Sequence, residues 1–296
     1  MRLGIISEPE WENRVAIVPN SIKKLKKAGF DVFVESGAGL KSYYSDSQYI
    51  DAGAIICDRS DSMSCEIIIT INMLEKNNLR NGMILACMAD PFRNPISLKN
   101  CLESGVTLFS MDMIPRRLSR AQSMDVNSSQ DNLSGYKAAL IGTENISKMV
   151  PMMMTSAGTV KPSRFIIQGA AVAGLQAIAT AKRLGAVVQA IDVRLAAKQD
   201  TESLGAKFID VPGWKDAESS SGHASLFTDK NLQEAFDNSL MEAVRKADVV
   251  ITTARLFGAN APKLFFGKDM NENMTKEMKE GSVIVDMNCD TGGNII

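Results

Sequence analysis

One short stretch of the sequence combines glycine spacing with an acidic residue in the pattern of a dinucleotide site. Gly169-Ala170-Ala171-Val172-Ala173-Gly174 begins and ends with glycine, and Asp192 follows Gly174 by 18 residues. In such sites the first glycine forms a tight turn, the last lets a helix pack on the sheet, and the helix N-terminus binds the pyrophosphate. The acidic residue accepts hydrogen bonds from the adenosine ribose. The spacing therefore predicts dinucleotide binding, with an ordinary glycine turn that binds no ligand as the alternative.

The same residues bear on which dinucleotide is bound. Ala171 occupies the place of the middle glycine, where the backbone must approach the pyrophosphate closely. Asp192 would repel the 2′-phosphate of NADP, whereas Arg194, two residues later, could attract it. Because Asp192 holds the strand-end position itself, we predict NAD(H) as the ligand.

The predicted elements place these residues at the end of a strand and the start of a helix. Arg164 to Gln168 is an apolar strand, Leu175 to Leu184 a helix closed by Gly185, and Val187 to Ile191 a second strand. Strand-like and helix-like segments alternate along most of the chain, which is typical of parallel sheets covered by helices. We therefore predict an α/β protein with two Rossmann-like domains, with parallel sheets flanked by helices, joined by a long helix and separated by a cleft.

A polar segment from Arg116 to Ser134 interrupts the alternation and indicates a domain junction. We predict an N-terminal Rossmann-like domain over residues 1–130, a linking helix region over 131–160 and an NAD(H)-binding Rossmann domain over 161–296. The segment from Trp214 to Thr228 contains Ser219-Ser220-Ser221-Gly222 and has the composition of a mobile surface loop.

Composition excludes several other classes of protein. Hydrophobic residues make up 45% of the 296, charged residues 23%, and the net charge is -1, which gives no basis for nucleic-acid or acidic-lipid binding. No apolar run approaches the roughly 20 residues that span a bilayer, so we expect a cytoplasmic location. The five cysteines form no CxxC pair and His223 is the only histidine, so we predict buried structural thiols and no metal site.

Longer stretches resemble the soluble NAD(H)-binding alpha-subunit component, domain I, of proton-translocating NAD(P) transhydrogenase, a component related in fold to alanine dehydrogenase. The resemblance covers essentially the whole chain and is far more specific than the glycine motif. It is carried by Glu12 to Ala16, Val34 to Gly39, Ser119 to Asp125, Ser128 to Gln130, Asn132 to Tyr136, Pro151 to Thr155, Val172 to Arg194, Gly281 to Asp286 and Gly292 to Asn294.

This resemblance implies a Re/Si-specific NAD(P)⁺ transhydrogenase subunit. Hydride would pass directly between NADH bound here and NADP⁺ on a partner domain, and membrane subunits would couple the exchange to proton translocation. The implied partners are an NADP(H)-binding beta subunit, the membrane subunits and a second copy of the chain in a homodimer. The implied location is peripheral, on the inner side of the cell membrane.

The resemblance also implies roles for individual residues. Gln122 would orient the nicotinamide ring, Arg117 and Asp125 would fix the loop and the carboxamide, and Ser128 falls on a further functional position. Pro115-Arg116-Arg117-Leu118 holds one extra residue against the family, so Arg116 remains open as the functional arginine, although counting back from Gln122 favours Arg117. The implied cofactor-binding residues are Gly169, Ala171, Val172, Ala173, Gly174, Asp192, Val193, Arg194, Thr253 and Ala254, and Gly222, His223 and Ala224 form a mobile loop that closes over the nucleotide.

The chain departs from the family at several places. Ala171 replaces the middle glycine, His223 replaces a tyrosine of the mobile loop, and the segment from Arg255 to Asn260 differs from one that is normally apolar. The family continues past the position of Ile296 with another strand and with helices that return to the first domain. We therefore expect a nucleotide-binding domain that is incomplete at its C-terminus. A truncated, non-catalytic remnant of the subunit is the second hypothesis.

An amino-acid dehydrogenase is the third and least favoured hypothesis. Alanine dehydrogenases resemble this chain at Arg14, which binds a substrate carboxylate. They also need a lysine near Ile71-Asn72-Met73 and a histidine shortly after the strand at Ile84. The chain has neither, so the groups for general acid–base chemistry on an amino acid are absent.

Overall fold

The computed structural model describes residues 1–115, 118–214, 229–256, 258–263 and 274–295. The chain forms two compact units, Met1–Val126 and Asn127–Ile296. Each unit is built on a parallel β-sheet with helices between its strands, so the predicted α/β class with parallel sheets is confirmed.

The described residues of the first unit form six strands and four α-helices. The strands are β1 (Arg2–Ile5), β2 (Asp31–Glu35), β3 (Ile55–Cys57), β4 (Ile67–Ile69), β5 (Ile84–Cys87) and β6 (Thr107–Ser110). The helices are α1 (Pro19–Lys27), α2 (Asp46–Asp51), α3 (Arg59–Met63) and α4 (Pro95–Glu103). The strand order is β3-β2-β1-β4-β5-β6, and every neighbouring pair is parallel. Strands β2 and β3 are added on one side of β1, and β4 to β6 are added on its other side.

Apolar side chains cover both faces of this first sheet. Val32 and Val34 belong to one buried cluster with Ile22 and Tyr49, whereas Phe33 between them packs against a second cluster. This alternation follows from the two-residue period of a strand. Long apolar runs such as Ile67–Ile69 are therefore needed to fill both layers.

The cysteines follow the prediction of buried thiols only in part. Cys65, Cys87 and Cys101 are buried, and burial raises the pKa of Cys87 to about 12, which keeps this thiol protonated at neutral pH. Cys57 is half-buried. Cys289 is exposed, which corrects the prediction for that residue, because it lies in a short 3-10 turn after the last strand.

The second unit contains the predicted nucleotide-binding strands. Its strands are β7 (Met153–Thr155), β8 (Gly158–Val160), β9 (Arg164–Gln168), β10 (Val187–Ile191), β11 (Lys207–Phe208), β12 (Val249–Thr252) and β13 (Val283–Asp286). Its helices include α5 (Val126–Asn145), α6 (Val172–Arg183), α7 (Ala196–Ser203) and α8 (Lys230–Val244). The main sheet has the order β11-β10-β9-β12-β13 and all of its pairs are parallel.

Helix α5 and the segment after it differ from the predicted linking helix over residues 131–160. The helix ends at Asn145, and β7 and β8 then form an antiparallel hairpin. The buried residues of α5 are the small ones Gly135, Ala138, Ala139 and Gly142. A Cβ at Gly142 would lie 2.7 Å from a methyl group of Val249, so glycine lets α5 pack closely against β12.

Two apolar clusters cover the faces of the second sheet. Ile167 packs with Ala177 and Ile178 of α6, whereas Ile166 packs with Leu232 and Phe236 of α8. Helices α6 and α8 therefore lie on opposite faces of β9. Within the part of the chain that the structure describes, no helix is long and apolar enough to cross a membrane.

Candidate functional site

The glycine turn between β9 and α6 depends on glycine at its first position. Gly169 has φ +92°, a left-handed conformation that favours glycine. A Cβ there would lie 2.6 Å from Thr253 Oγ1. The turn is fixed by the Gly169 N–H, which donates to the Ile191 carbonyl at 2.8 Å, and by Thr253 Oγ1, which donates to the Gly169 carbonyl at 2.9 Å.

The last glycine of the motif serves close packing. A Cβ at Gly174 would collide with the carbonyl oxygen of Gly169. Gly135 of α5 has the same role on the other side, because a Cβ there would collide with the carbonyl oxygen of Ala173. Asn132 Nδ2 also donates to Gln176 Oε1 at 3.1 Å. Helix α5 therefore supports the first turn of α6.

The N-terminus of α6 has backbone N–H groups without an intrahelical partner. Ala171 is its N-cap, with φ -87° and ψ -163°, and no side chain caps the helix. Val172 and Ala173 are its first two residues, and the first N–H groups of a helix have no intrahelical partner. Ala171 is exposed. Its backbone conformation does not require glycine, so its methyl group matters only to a ligand above the turn.

The carboxylate of Asp192 is buried and fully hydrogen-bonded. Asp192 is 5% exposed, and Oδ2 accepts from the Ala170 N–H at 2.7 Å. Arg194 supplies the other contacts: its N–H and Nε donate to Oδ1 at 2.8 and 3.0 Å, and Nη2 donates to Oδ2 at 2.9 Å. A carboxylate has about four acceptor positions. A ribose hydroxyl can therefore reach Asp192 only where it displaces a bond from Arg194.

The segments that follow β10 and β11 contact each other through Val193 and Trp214. Val193 is half-buried, and its carbonyl accepts from the Trp214 indole N–H at 3.3 Å. Trp214 stacks on Phe208 with ring centroids 5.0 Å apart. The stacking therefore fixes the position of the Trp214 side chain. The predicted mobile-loop residues Gly222, His223 and Ala224 lie outside the described residues.

A buried amide pair holds the loop after β12. Asn288 and Asn294 are 4% and 0% exposed, and their Nδ2 atoms donate to the Ala254 carbonyl at 3.1 and 2.8 Å. Asn288 Nδ2 also donates to Asn294 Oδ1 at 2.7 Å. Asp286 Oδ2 accepts from the Asn294 N–H at 2.7 Å. The predicted contact residue Ala254 is thus positioned by hydrogen bonds that the sequence did not reveal.

The residues predicted to face the nicotinamide lie at the end of the first unit and the start of α5. Gln122 is exposed and begins a 3-10 turn, Gln122–Met124, and Asp125 follows it. Ser128 is half-buried in the first turn of α5. Arg116 and Arg117 lie outside the described residues. The roles of these side chains stay predictions.

The arginine that amino-acid dehydrogenases use for a substrate carboxylate is already paired here. Arg14 Nε and Nη2 donate to the Glu12 carboxylate at 2.9 and 2.6 Å, and Glu12 is 6% exposed. These bonds, against the effect of burial, lower the pKa of Glu12 to about 2. Asn72 stands near the position of the required lysine and donates to Glu8 Oε2 at 3.0 Å. Shortly after β5, where alanine dehydrogenases need a histidine, this chain has Ala89, whose backbone N–H donates to the Asp112 carboxylate at 3.0 Å.

Family models match almost the whole chain. The model described as alanine dehydrogenase/PNT, N-terminal domain, matches residues 4–134, and the one described as alanine dehydrogenase/PNT, C-terminal domain, matches residues 138–296. The chain belongs to the alanine dehydrogenase/PNT family.

Relatives within this family include transhydrogenases and alanine dehydrogenases. The chain is 41% identical to the first part of NAD(P) transhydrogenase subunit alpha of Rhodospirillum rubrum, over 99% of this chain and 78% of that protein. It is 38% identical to the corresponding protein of Rickettsia prowazekii, over 96% and 75%. It is 28% identical to an alanine dehydrogenase of Methanococcus maripaludis, over 100% and 74%.

Solved structures show the same fold. The crystal structure of a transhydrogenase from Sinorhizobium meliloti matches with a TM-score of 0.87 at 41% identity, over 100% of this chain and 80% of that one. An L-alanine dehydrogenase matches with a TM-score of 0.80 at 22% identity, which shows the fold alone. The resemblance seen in the sequence is confirmed, and the alanine dehydrogenase/PNT family is one of oxidoreductases that use nicotinamide nucleotides.

One further residue of the site was missed by the sequence reasoning. Gln168 ends β9 directly before the glycine turn, and it is 6% exposed with no hydrogen-bond partner for Oε1 among the described residues. The signal that could have found it is a carboxamide at the end of an otherwise apolar strand, where a buried polar group needs a partner.

Proposed function

We propose that the chain is the NAD(H)-binding component of a proton-translocating transhydrogenase. Its substrate NAD(H) exchanges hydride directly with NADP(H) bound to a partner subunit, and membrane subunits couple this exchange to proton translocation. The observation that carries the proposal is the uncapped N-terminus of α6, which follows the Gly169 turn and lies beside the buried carboxylate of Asp192.

The turn fits a pyrophosphate by charge and by shape. Helix α6 has 12 residues, and its dipole places partial positive charge at the N-terminus, where Val172 and Ala173 present N–H groups. Gly169 and Gly174 keep side chains out of the turn. These backbone groups hold the phosphates without any charged side chain at the turn itself.

Asp192 favours NAD(H) over NADP(H) at this site. Its carboxylate lies one residue past β10 and is tied to the turn through the Ala170 N–H. It accepts hydrogen bonds from the adenosine ribose when Arg194 releases part of its fork, and it repels a 2′-phosphate. The NADP(H) site therefore belongs to the partner.

Orientation carries the chemical step. Hydride transfer between two nicotinamide rings needs no acid or base on the protein, only a fixed approach of one ring to the other. Gln122 orients the ring, Arg117 and Asp125 fix the surrounding loop and the carboxamide, and Ser128 supports that loop. Gly222, His223 and Ala224 contribute contacts to the bound nucleotide in the same proposal.

The partners follow from the relatives. Relatives are named as subunit alpha, or as the first part of that subunit, which implies further subunits. We propose that these are an NADP(H)-binding beta subunit and membrane subunits. Such partners hold the chain at the inner side of the cell membrane. The chain itself contributes the NAD(H) site.

A second copy of the chain is a further partner. The β7–β8 hairpin exposes Met153, Met154 and Val160 by 41%, 72% and 49%, and a two-stranded hairpin is marginal in water by itself. The hairpin is the contact surface of a homodimer. Sedimentation is expected to show a dimer that Met154→Asp converts to monomer, and a dimer unaffected by this change would exclude the hairpin.

The test of the proposed function has two steps. Calorimetry is expected to show NADH binding by the chain, and the chain is then mixed with an NADP(H)-binding subunit to follow hydride exchange between the two nucleotides. Absence of NADH binding would favour the non-catalytic remnant. Reduction of NAD⁺ that depends on alanine would instead favour an amino-acid dehydrogenase, which the pairing of Arg14 with Glu12 disfavours.

A further inference from the structure

One buried carboxamide at the edge of the second sheet has an acceptor without a donor. Gln168 is the last residue of β9, directly before the Gly169 turn, and it is 6% exposed. Its Oε1 is buried and has no hydrogen-bond partner in the part of the chain that the structure describes. An unpartnered buried acceptor destabilises a folded protein, so its presence beside a ligand turn calls for a functional explanation.

The neighbours of Gln168 in the sheet cannot supply the donor. Gln168 lies in register with Ile191 on one side and Thr252 on the other. Ile191 has no polar side-chain atom, and the Thr252 hydroxyl donates its proton to Asp286 Oδ1 at 3.1 Å. The Thr253 hydroxyl donates to the Gly169 carbonyl at 2.9 Å. A hydroxyl has a single proton, so both are already used.

The face of the sheet beneath Gln168 is packed with apolar side chains. Side chains alternate along a strand, so Gln168 shares the face of Ile166, which packs with Leu232 and Phe236. Trp214 also packs against that cluster, and its indole N–H already donates to the Val193 carbonyl. The carboxyl end of β9, beside the turn and the N-terminus of α6, is the side from which a ligand donor can reach Gln168.

We propose that Gln168 determines recognition of the nicotinamide half of the bound dinucleotide. This inference rests on the proposed function. Phosphates carry no donor, and the adenosine half lies toward Asp192 at the end of β10. The remaining donors of NADH are the hydroxyls of the nicotinamide ribose and the N–H of the nicotinamide carboxamide. On binding, the side chain of Gln168 turns to the carboxyl edge of β9 and accepts a hydrogen bond from one of these groups.

Two matched substitutions separate a ligand contact from a purely structural defect. Gln168→Met replaces the carboxamide by an unbranched apolar chain of similar size, and Gln168→Leu is a second, branched apolar variant. Thr201→Val is the control, because Thr201 is fully buried in α7 and its Oγ1 also has no hydrogen-bond partner within the described ranges. Each change removes unpartnered buried polar atoms, so each is expected to raise the urea midpoint of the ligand-free chain.

Binding then distinguishes the variants. Gln168→Met is expected to weaken NADH binding by about five- to tenfold by calorimetry, the effect of one lost hydrogen bond. Thr201→Val is expected to leave it unchanged. ADP, which lacks the nicotinamide half, should bind wild type and Gln168→Met equally. ADP-ribose assigns the contact: a weakened affinity indicates the ribose hydroxyls, and an unchanged one indicates the carboxamide of NADH.

Three results would overturn the inference. Equal NADH affinity of wild type and the Gln168 variants would make the carboxamide a structural defect only. An equal loss for ADP and NADH would place the effect outside the nicotinamide half. A wild-type chain that binds neither ADP nor NADH would overturn the proposed function, and the inference with it, before any variant is compared.

Discussion

The pairing of Asp192 with Arg194 predicts that one substitution reverses the preference between the two nicotinamide dinucleotides. Asp192→Asn removes the charge that repels a 2′-phosphate. It also releases the Arg194 guanidinium, whose Nε and Nη2 now donate to Asp192 at 3.0 and 2.9 Å. A guanidinium in that position can bind the 2′-phosphate with two parallel hydrogen bonds.

The loss of the Asp192 charge and the release of Arg194 both shift the preference toward NADPH, by similar free energies. In the wild-type chain we expect NADH to bind about tenfold tighter than NADPH, which corresponds to about 1.4 kcal/mol. A hydrogen bond to a charged group contributes about 1.5–3 kcal/mol, and the Arg194 side chain is 20% exposed, so the lower limit applies. The combined change is about 3 kcal/mol. The variant is therefore expected to bind NADPH about tenfold tighter than NADH.

The assay is calorimetric titration of NADH and NADPH into four proteins: wild type, Asp192→Asn, Arg194→Met and the double variant. Arg194→Met alone leaves the carboxylate charged, so it should keep or increase the preference for NADH. The double variant has neither charge and should show little preference. If folded Asp192→Asn still preferred NADH tenfold, Asp192 would not lie against the adenosine ribose, and the reasoning would be refuted.

Three further predictions concern the nicotinamide, the pyrophosphate and acid stability. Gln122→Asn should sharply slow hydride transfer in the presence of the NADP(H)-binding subunit while NADH affinity changes little; a loss of affinity with an unchanged bound-state rate would reverse that assignment. Ala171→Gly should tighten NADH binding in a fluorescence titration, because a methyl group above the turn is removed. The change should not destabilise the chain, because glycine is preferred to alanine at an N-cap. Equal NADH affinities of the two proteins would show that the turn already accommodates the methyl group. Burial raises the pKa of Asp248, but the Arg164 N–H and two lysine ammonium groups outweigh it and lower the pKa overall. Asp248→Asn should therefore lower the free energy of unfolding by about 1–3 kcal/mol at pH 7, and the difference should shrink as the pH falls below about 4; urea unfolding that shows a constant difference down to pH 3 would contradict this.

The parts of the fold that were predictable are those with strong local signals. The strands Arg164–Gln168 and Val187–Ile191 have the predicted bounds because each is a run of mostly apolar residues between turns. Helix α6 begins at Val172, three residues before the predicted start, because small residues at its first turn carry no capping signal. The predicted linking helix starts at residue 131, whereas α5 starts at Val126, because the first turns of α5 are polar and its buried face consists of glycine and alanine.

The predicted part of the candidate site is the part that lies within one strand–helix–strand unit. Gly169, Gly174 and Asp192 are close in sequence, so their spacing alone predicts their meeting. Asn288 and Asn294 contact Ala254 from more than 30 residues away along the chain. No local sequence pattern predicts that these residues come together. The hydrogen bonds by which Arg194 occupies the Asp192 carboxylate likewise depend on side-chain geometry, which the spacing of the two residues does not predict.

The order of strands in the second sheet has a consequence for synthesis on the ribosome. Strand β9 pairs with β10 after a short interval, but its other neighbour, β12, comes much later: Phe165 pairs with Val249, 84 residues further along the chain. At roughly 5–20 residues per second, the apolar edge of β9 stays open for about 4–17 seconds before β12 emerges. During that interval the nascent chain exposes an edge through which incomplete chains can pair with one another. Slower translation between residues 192 and 249 would lengthen this exposure and lower the yield of folded protein.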